Sequence, residues 1–414
     1  MSAEADAGIV IIGAGETGGR TALTLRERGY GGGITLVGNE VHPPYERPPL
    51  SKDALVLEED HFPRTIASAA DLATADIRFL PLVDALAIDR GARTVALSNG
   101  SALAYGRLLL ATGASPRRLT LDLPEERCAY LRTHDDARRL RARLRPGCRL
   151  AVIGGGFIGL EIAASARLLG CDVTLIEGQP RILMRGVPAD IAETVHREHV
   201  RQGVRVHCGR GIDAVRESGG RAEFVLNDGT VLAADLVVVG IGASPNVALA
   251  EAAGLAIDNG IAVDGRLRTS DPAIFAAGDC ASFPIPVYGG RRIRLESWRN
   301  AQEQALVAAE NLMGGETTLD TVPWFWSDQY DLGLQVAGLA DEARTTIRRD
   351  LGDGAFILFG LDDDGRLVTA SGIGPGNAVA RDIRIAEMLI ARRARPDPAA
   401  LAEPQTKLKA LLAA

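Results

Sequence analysis

Short, unbroken apolar runs alternate with glycine-containing turns and helical patterns along most of the chain. The first run, 9–12, is rich in β-branched residues, as expected for a strand that is buried on both faces. It leads into Gly13, Gly15 and Gly18, after which a helical pattern covers 21–28. Glycines at this spacing permit a tight turn, close approach of the backbone to a pyrophosphate and close packing of the helix on the strand. The pattern therefore predicts a strand–turn–helix unit whose helix N-terminus binds phosphate.

The same pattern occurs a second time, beginning at Leu150. The equivalent glycines of this second copy are Gly154, Gly156 and Gly159. In each copy a further predicted strand ends at polar residues about 20 residues past the loop, where ribose hydroxyls are bound in such folds. These residues are Asn39 and Glu40 in the first copy and Glu177 in the second. One glycine motif alone is a weak signal, but two copies predict two bound nucleotides, either two cofactors or a cofactor and a cosubstrate.

A longer internal repeat indicates a duplication. Segments 100–116 and 229–245 align without gaps, and both end in Gly-Ala-Ser-Pro after a strand-like apolar run. Beyond 321 the pattern changes to short strands, a hairpin signal and one amphipathic helix, which predicts a small α+β domain with a peripheral tail from Pro396. We therefore predict an α/β fold with two Rossmann-like nucleotide-binding domains and a C-terminal α+β domain. The predicted boundaries are 1–116 and 242–321 for the first nucleotide domain, 117–241 for the second and 322–414 for the C-terminal domain.

Composition and charge exclude some classes of function. The chain has 414 residues, a net charge of −7 and a sequence pI of about 5.5, without a long basic block, so we expect no nucleic-acid partner. No apolar run has the length of a membrane span and the first residues are polar and acidic, so we expect a cytoplasmic protein with no membrane partner. The five cysteines are scattered without metal-binding or redox spacing, which predicts neither a metal site nor a disulfide framework.

Two charged residues near the motifs allow either a structural or a chemical reading. Arginine supplies almost every cation, and the three lysines are Lys52, Lys407 and Lys409. Lys52 could be an ordinary solvated loop lysine. A compact ammonium in an arginine-rich chain instead favours chemistry that a planar guanidinium cannot perform. Glu161, on the first turn of the second predicted helix, could merely stabilise the helix N-terminus.

Several longer segments together resemble a known family. They read GAGETG, PPYERPPLSK, LLLATGASPR, YLRT, VIGGGFIGLE, GIGASPN, AAGDCASF, ESWRNAQEQA and PWFWSDQY, and they cover nearly the whole chain in order. On these motifs the chain resembles the FAD-dependent NADH:ferredoxin reductases that supply bacterial cytochromes P450 and Rieske-type aromatic-ring dioxygenases. The resemblance implies a glutathione-reductase-like fold with an FAD domain, an inserted NAD domain and a C-terminal interface domain. It implies FAD and NADH as cofactors and a [2Fe–2S] ferredoxin as partner, while the oligomeric state stays open between monomer and homodimer.

The resemblance also assigns roles to individual residues. Those expected to bind the FAD pyrophosphate are Gly13, Gly15, Thr17 and Gly18. Those expected to line FAD further along are Arg47, Lys52, Arg132, Asp279, Trp298 and Trp326. The adenosine ribose of FAD is assigned to Asn39 or Glu40, because the family often has aspartate where this chain has Asn39. For NADH the matching residues are Gly154, Gly156, Gly159, Glu161, Glu177, Arg185 and Glu296. Lys52 and Glu161 are expected to pair at the flavin, where the nicotinamide docks, and are the predicted catalytic residues.

The loop 43–55 contains no cysteine, whereas related disulfide reductases have a cysteine pair there. We therefore expect electrons to pass from reduced flavin directly to a docked one-electron carrier, since a flavin converts between two-electron and one-electron transfer. An NADH oxidase or peroxidase of this fold would require a redox cysteine in the same loop. A rubredoxin acceptor and a flavin-binding signalling protein of the apoptosis-inducing-factor type are further alternatives. Cys280 has no partner cysteine nearby in sequence, so we expect no redox role for it.

Overall fold

The computed structural model describes residues 7–57 and 62–412. The chain divides into two compact units, each made of discontinuous segments. The first unit comprises Met1–Arg47, Arg64–Ser115 and Ser244–Thr321, and the second comprises Pro48–Pro63, Pro116–Ala243 and Val322–Ala414. Within the described residues, no helix is long and apolar enough to cross a membrane.

The strands of the described residues are, in chain order, β1 (Ile9–Ile12), β2 (Ile34–Val37), β3 (Ile77–Leu80), β4 (Ala85–Asp89), β5 (Thr94–Leu97), β6 (Ala102–Ala104), β7 (Arg107–Leu110), β8 (Ala114–Pro116), β9 (Cys128–Ala129), β10 (Arg149–Ile153), β11 (Asp172–Glu177), β12 (Arg205–Cys208), β13 (Ile212–Ser218), β14 (Arg221–Leu226), β15 (Val231–Ala234), β16 (Leu236–Val239), β17 (Ala243–Pro245), β18 (Ile261–Ala262), β19 (Ile274–Ala276), β20 (Ala281–Ile285), β21 (Arg291–Ile293), β22 (Trp324–Gln329), β23 (Leu332–Gly338), β24 (Thr345–Gly352), β25 (Ala355–Leu361) and β26 (Leu367–Pro375).

The α-helices are α1 (Glu16–Glu27), α2 (Asp53–Val56), α3 (Ala69–Thr74), α4 (His134–Arg141), α5 (Phe157–Leu168), α6 (Ala189–Arg201), α7 (Ala248–Ala252), α8 (Trp298–Leu312), α9 (Ala380–Ala391) and α10 (Pro398–Ala402). Short 3₁₀ helices cover Pro48–Ser51, Glu125–Arg127, Pro286–Tyr288, Ala340–Glu342 and Leu408–Leu412.

A parallel five-stranded sheet forms the centre of the first unit, in the order β19–β7–β1–β2–β3. Its strands are the short apolar runs of the sequence, and every residue of β1 is buried, as the uninterrupted pattern predicts. Helix α1 begins at Glu16, well before the helical pattern at 21–28, because Gly15 is its N-cap and the glycine loop opens directly into the helix. Two small three-stranded sheets, β4–β5–β6 and β18–β20–β21, complete this unit.

The second unit contains a sheet of the same design, in the order β9–β16–β10–β11–β12. Strand β10 precedes the second glycine loop as β1 precedes the first, and α5 follows it. Strands β7 and β16 come from the two repeated segments, and each lies beside the strand that leads into its glycine loop. The two repeats thus occupy equivalent positions in two separate sheets.

The C-terminal part of the second unit is an antiparallel five-stranded sheet, in the order β22–β23–β26–β25–β24, with α9 packed against β23 and β26. Four of these strands and the helix follow the predicted pattern. Strand β22 (Trp324–Gln329) was not predicted as a strand, because three consecutive half-buried residues at its start hide the alternation of a half-buried strand.

The tail is packed more firmly than its alanine- and proline-rich composition predicts. Arg349 of β24 is buried and donates hydrogen bonds to four tail carbonyls. These are the carbonyls of Leu401 (3.2 Å), Glu403 (2.8 Å), Pro404 (3.0 Å) and Thr406 (2.7 Å). The tail is thus attached to β24 although most of its residues are exposed or half-buried, because one guanidinium with several donors can bind several carbonyls at once.

Candidate active site

The first glycine loop has the geometry that a bound pyrophosphate requires. Gly13 has a φ of 111°, and a Cβ added there would lie 2.1 Å from the carbonyl oxygen of Ala111. A Cβ on Gly18 would lie 1.8 Å from the carbonyl oxygen of Gly13, so only glycine lets α1 approach β1 this closely. At Gly15 the nearest atom to an added Cβ is the Arg47 guanidinium at 3.9 Å, which leaves the mouth of the loop open. The residues present therefore fit the phosphates of FAD.

Other predicted FAD residues of the first unit lie around this loop. Buried Thr17 donates a hydrogen bond to the carbonyl of Ala301 (3.3 Å), and a Cβ on Gly278 would overlap its hydroxyl. Asp279 follows directly, half-buried after β19, and its carbonyl accepts a hydrogen bond from Arg294 (3.3 Å). Trp298 is the first residue of α8 and is half-buried. The first unit thus places Thr17, Asp279 and the glycine loop within one contiguous region.

The two candidates for the FAD ribose have different surroundings. Asn39 is exposed at the end of β2. Glu40 accepts hydrogen bonds on both carboxylate oxygens, from Arg47 on Oε1 (2.6 Å) and from the hydroxyl of Tyr45 on Oε2 (2.6 Å). The guanidinium carbon of Arg47 also lies 5.2 Å from the centre of the Tyr45 ring. Glu40 is therefore committed to Arg47 and Tyr45.

The second glycine loop, in the second unit, repeats the same backbone geometry. Gly154 has a φ of 107°, and a Cβ on Gly159 would lie 2.1 Å from the Gly154 carbonyl oxygen. An added Cβ at Gly156 would meet nothing within 4 Å. Glu177, at the end of β11, accepts hydrogen bonds from the backbone N–H groups of Gly155 (2.7 Å) and Gln179 (2.6 Å). The carboxylate is therefore fixed at the loop where the resemblance places the ribose of NADH.

Lys52 and Glu161 lie together, as the resemblance implies. The ammonium nitrogen of Lys52 is 3.0 Å from Glu161 Oε2, with 23% of the lysine side chain exposed but only 4% of the glutamate. Two hydroxyl groups also donate to this carboxylate: Ser51 to Oε2 (2.5 Å) and Ser327 to Oε1 (2.6 Å). A buried carboxylate requires such partners, because an unpaired buried charge is strongly destabilising.

Four elements of the second unit hold this pair. Lys52 is the N-cap of α2 and follows the 3₁₀ helix Pro48–Ser51, while Glu161 lies in α5. The hydroxyl of Ser165, one turn further along α5, donates to the carbonyl of Ser51 (2.7 Å) and fastens the loop to the helix. Ser327 is on β22. The Lys52 ammonium group is thus bound by a buried carboxylate, while part of the lysine side chain stays accessible to solvent.

The remaining predicted site residues have other partners or are exposed. Glu296, in the first unit, forms an ion pair with Arg294 (2.5 Å). Arg185 is exposed in the loop before α6, and the backbone N–H of Arg132 donates to Asp136 (3.1 Å) at the start of α4. Trp326 on β22 stacks against Trp324, with ring centres 5.4 Å apart, and donates to Asp328 (3.0 Å). Their roles in nucleotide binding stay predictions.

Sequence reasoning missed the two serines that donate to Glu161. Ser51 and Ser327 lie inside the PPLSK and PWFWSDQ segments, so the motifs themselves carried the signal. A serine is a common turn residue, and the sequence separations of 110 and 166 residues from Glu161 hide the contacts. Their role is visible only in the folded structure, which brings both hydroxyl groups to the Glu161 carboxylate.

Cys280, next to the predicted site residue Asp279, lies in an apolar environment. Cys280 is fully buried, and its Sγ contacts the carbonyls of Leu110 and Ala277 (3.4 and 3.3 Å). Burial raises the pKa of its thiol, which disfavours the reactive thiolate. No cluster of three or more potential metal ligands occurs in residues 7–57 and 62–412.

Comparison with known proteins identifies the family. Residues 7–305 match the pyridine nucleotide-disulphide oxidoreductase family, and residues 324–412 match the reductase C-terminal family. The ferredoxin–NAD(+) reductase component of an anthranilate 1,2-dioxygenase system from Burkholderia cepacia is 45% identical, over 97% of this chain and 98% of its own length. Putidaredoxin reductase CamA from Pseudomonas putida is 37% identical over 98% of this chain and 97% of its own length.

A solved structure supports the same assignment across the whole chain. The crystal structure of a covalent putidaredoxin reductase–putidaredoxin complex contains a chain that matches with a TM-score of 0.92 and 36% identity, over 99% of this chain and 98% of that one. These matches confirm the predicted α/β fold, the enzyme class and the two cofactors, FAD and NAD(H). The chain belongs to the pyridine nucleotide-disulphide oxidoreductase family.

Proposed function

We propose that this protein transfers electrons from NADH through FAD to a [2Fe–2S] ferredoxin, which in turn supplies a Rieske-type aromatic-ring dioxygenase or a cytochrome P450. The proposal is carried by one observation: the loop 43–55 contains no cysteine, and its Lys52 forms an ion pair with Glu161 of α5. Without a thiol relay in that loop, the reduced flavin passes its electrons directly to a docked acceptor. The names of the relatives, which include ferredoxin–NAD(+) reductase components of dioxygenase systems and a putidaredoxin reductase, support a ferredoxin as that acceptor.

Bound FAD supplies the chemistry by accepting the two electrons of a hydride and releasing them singly. The protein's own residues bind and orient the reactants. The two glycine loops bind the phosphates of the two nucleotides, and Glu177 accepts hydrogen bonds from the ribose of NADH. Lys52 donates hydrogen bonds at the reacting end, and Glu161 fixes the direction of its ammonium group. We place this activity in the cytoplasm, where NADH is available.

A basic surface on the C-terminal domain supports docking of an acidic ferredoxin. Arg381 and Arg384 on α9 and Arg392 at its C-cap recur with Met388 at helical spacing, and all four are exposed. We call them the α9 arginine face. The buried residues of α9, Ile383, Ile385, Ala386, Glu387, Leu389 and Ile390, lie on its other sides. Because the whole chain carries a net charge of −7, an acidic partner needs a local basic surface of this kind.

The direct test is steady-state oxidation of NADH by the FAD-loaded protein with three alternative acceptors: a [2Fe–2S] ferredoxin, a rubredoxin and molecular oxygen. We expect ferredoxin to be reduced with the highest kcat/KM. Faster turnover with rubredoxin would favour the alternative represented by the rubredoxin–NAD(+) reductase from Pseudomonas putida, which is 39% identical over 80% of this chain. Turnover of oxygen alone would indicate an oxidase and would contradict the proposal.

Docking on the α9 arginine face is tested by charge reversal. Arg381→Glu combined with Arg384→Glu should raise the KM for ferredoxin about tenfold, because rim charges mainly steer the encounter. Raising the salt concentration should raise the KM of the unmodified protein, since such charges are screened over about 8 Å at physiological ionic strength. Ferricyanide reduction should change little in both experiments.

A matched control is Arg216→Glu, on the exposed strand β13 of the same unit. It changes the net charge by the same amount per residue but leaves α9 intact. An equal rise in KM for the control would assign the effect to overall charge. A parallel loss of ferricyanide reduction would instead place the effect on hydride transfer or folding, and the docking assignment would fail.

A further inference from the structure

A buried chain of hydrogen bonds leads away from Glu161 through the second unit. Ser327, which donates to Glu161, lies 3.1 Å from the side-chain nitrogen of Gln329. The Oε1 atom of Gln329 is 2.8 Å from Nε2 of His199, and Nδ1 of His199 is 3.4 Å from the hydroxyl of Tyr330. The chain therefore connects α5, the strand β22 and the helix α6.

Chemistry fixes the direction of every bond in this chain. A carboxylate only accepts, so the single proton of Ser327 points at Glu161 and its oxygen accepts the amide N–H of Gln329. The carbonyl oxygen of Gln329 then faces His199, which has to donate from Nε2. Nδ1 is left to accept the Tyr330 hydroxyl. All donors thus point towards Glu161, and only the Nε2–H form of the His199 ring is compatible with them.

Burial makes this arrangement rigid. His199 is 0% exposed, Ser327 1% and Gln329 4%, so water cannot replace a lost partner. Burial lowers the pKa of His199, against smaller raising effects of the hydrogen bond to Gln329 and the charge of Glu198, and favours a neutral ring. A neutral ring with one proton matches the single form that the hydrogen bonds require.

We propose that Gln329 and His199 are positioning residues for the reaction: through Ser327 they hold the Glu161 carboxylate, and with it the Lys52 ammonium, in the orientation needed for reduction of FAD by NADH. This inference rests on the proposed role of the Lys52–Glu161 pair. The chain holds geometry and does not conduct protons, because the amide of Gln329 keeps its two hydrogens. The same bonds join helix α6 of the nucleotide fold to β22, the strand that carries Trp326.

The first experiment replaces Gln329 by an apolar side chain of similar length. In FAD-loaded Gln329→Met, stopped-flow reduction of the flavin by saturating NADH should slow by about tenfold or more, since small misplacements of reacting groups have effects of this size. The KM for NADH should change less than about twofold, because the nucleotide loop is untouched. A rate within twofold of the unmodified protein, with full FAD occupancy, would overturn the proposal.

Conservative replacement separates positioning from simple packing. His199→Gln keeps an N–H that can reach Gln329, whereas His199→Met has none, so the first should retain most of the reduction rate and the second should lose it. Equal losses would indicate that ring volume, and not the hydrogen bond, is what matters. Ser371→Ala is the matched control, because Ser371 is buried in the same antiparallel sheet and its hydroxyl has no hydrogen-bond partner within the described structure.

A second readout does not depend on activity. In NMR spectra of the FAD-loaded protein labelled at histidine nitrogen, His199 should show a slowly exchanging proton on Nε2. That signal should shift in Ser327→Ala, which removes the acceptor of the Gln329 amide, and stay in place in Ser371→Ala. An Nε2 without a proton in the unmodified protein would refute the chain even if every substituted protein failed to fold.

Failure of this inference can be told apart from failure of the proposed function. If Lys52→Ala leaves flavin reduction unchanged, the ion pair has no role and the function assigned to it fails. If Lys52→Ala is slow while Gln329→Met is fast, only the positioning chain fails.

Discussion

The two glycine loops have the same backbone but differ at one position in the helix that follows. Gly13 and Gly154 have φ values of 111° and 107°, and in both loops the third glycine lies against the carbonyl of the first. The eighth residue of each motif is Arg20 in the first loop and Glu161 in the second. The two loops therefore share one backbone geometry and differ in the side chain one turn into the helix.

Arg20 and Glu161 differ in their exposure and in their partners. Arg20 is 33% exposed and lies 3.5 Å from Glu16 on its own helix, a contact that any amphipathic helix can make. Glu161 is 4% exposed and is bound by Lys52 and two serines from other segments of the chain. The side chain after the first loop thus makes a contact within its own helix, whereas the one after the second loop joins a charged pair formed by separate segments of the chain.

The largest expected effect comes from the glycines that let helix and strand touch. Gly18→Ala and Gly159→Ala place a Cβ 1.8 and 2.1 Å from a backbone oxygen, an overlap that should destabilise each loop by more than about 4 kcal/mol. Gly18→Ala should yield protein without FAD. Gly159→Ala should keep the flavin absorbance but show no reduction by NADH.

Gly156→Ala sharpens this test, because an added Cβ there meets nothing within 4 Å. Its thermal unfolding temperature should stay close to that of the unmodified protein, while NADH binds more weakly because the methyl group occupies the mouth of the loop. Loss of FAD from Gly159→Ala would show that the two loops do not act independently.

The next largest effect is expected at the Lys52–Glu161 pair. Lys52→Ala leaves a 4%-exposed carboxylate without its cation, which should slow flavin reduction by about a hundredfold, or about 3 kcal/mol. Arg20→Ala, at the equivalent position of the other loop, should alter the same rate constant by less than about threefold, because its contact with Glu16 is partly solvated. Stopped-flow traces with full FAD occupancy provide both numbers. Similar losses in the two variants would remove the distinction between the loops.

The next comparison concerns Glu177, at the end of β11, the second strand of its nucleotide-binding fold. Glu177 is fixed by two backbone N–H groups, so its carboxylate should accept the ribose hydroxyls of NADH and repel the phosphate of NADPH. We expect kcat/KM to favour NADH by at least about a hundredfold, and Glu177→Ala to reduce this preference to about tenfold. The measurement is kcat/KM with each nucleotide and ferricyanide as acceptor. Comparable efficiency of the unmodified protein with NADPH would remove Glu177 from this role.

The sequence predicted repeating, local features better than contacts between distant segments. The glycine loops, β1 and the duplicated strands follow from spacing alone, because a strand–turn–helix unit is a local structure. The Lys52–Glu161 pair was accessible only through resemblance, and its serine donors only through the fold. In the hydrogen-bonded chain from Ser327 to His199, Gln329 and His199 are 130 positions apart in sequence, and no local sequence pattern predicts such a contact.

One local error and one missed attachment have equally physical causes. The start of α1 was placed too late, since the helical pattern of apolar residues begins after the glycines that already belong to the helix. The sequence does not indicate how the tail is attached, because alanine and proline carry little packing signal. Its attachment depends on the guanidinium of Arg349, about 50 residues away, which binds backbone carbonyls that every residue possesses.

The smallest expected effect distinguishes Asn39 from Glu40 at the end of β2, the counterpart of Glu177. Glu40 already accepts from Arg47 and Tyr45, so the exposed amide of Asn39 is the group with free capacity for a ribose hydroxyl. Asn39→Ala should raise the dissociation constant of FAD about fivefold, the size of one ordinary hydrogen bond, and Asn39→Asp should lower it because a charged acceptor binds more strongly. Titration of the FAD-free protein with FAD measures both. If the Asn39→Ala protein binds FAD with an unchanged dissociation constant while the Glu40→Gln protein binds it more weakly, Glu40 binds the ribose. Glu40 and Glu177 would then have equivalent roles, although their hydrogen-bond partners in the structure differ.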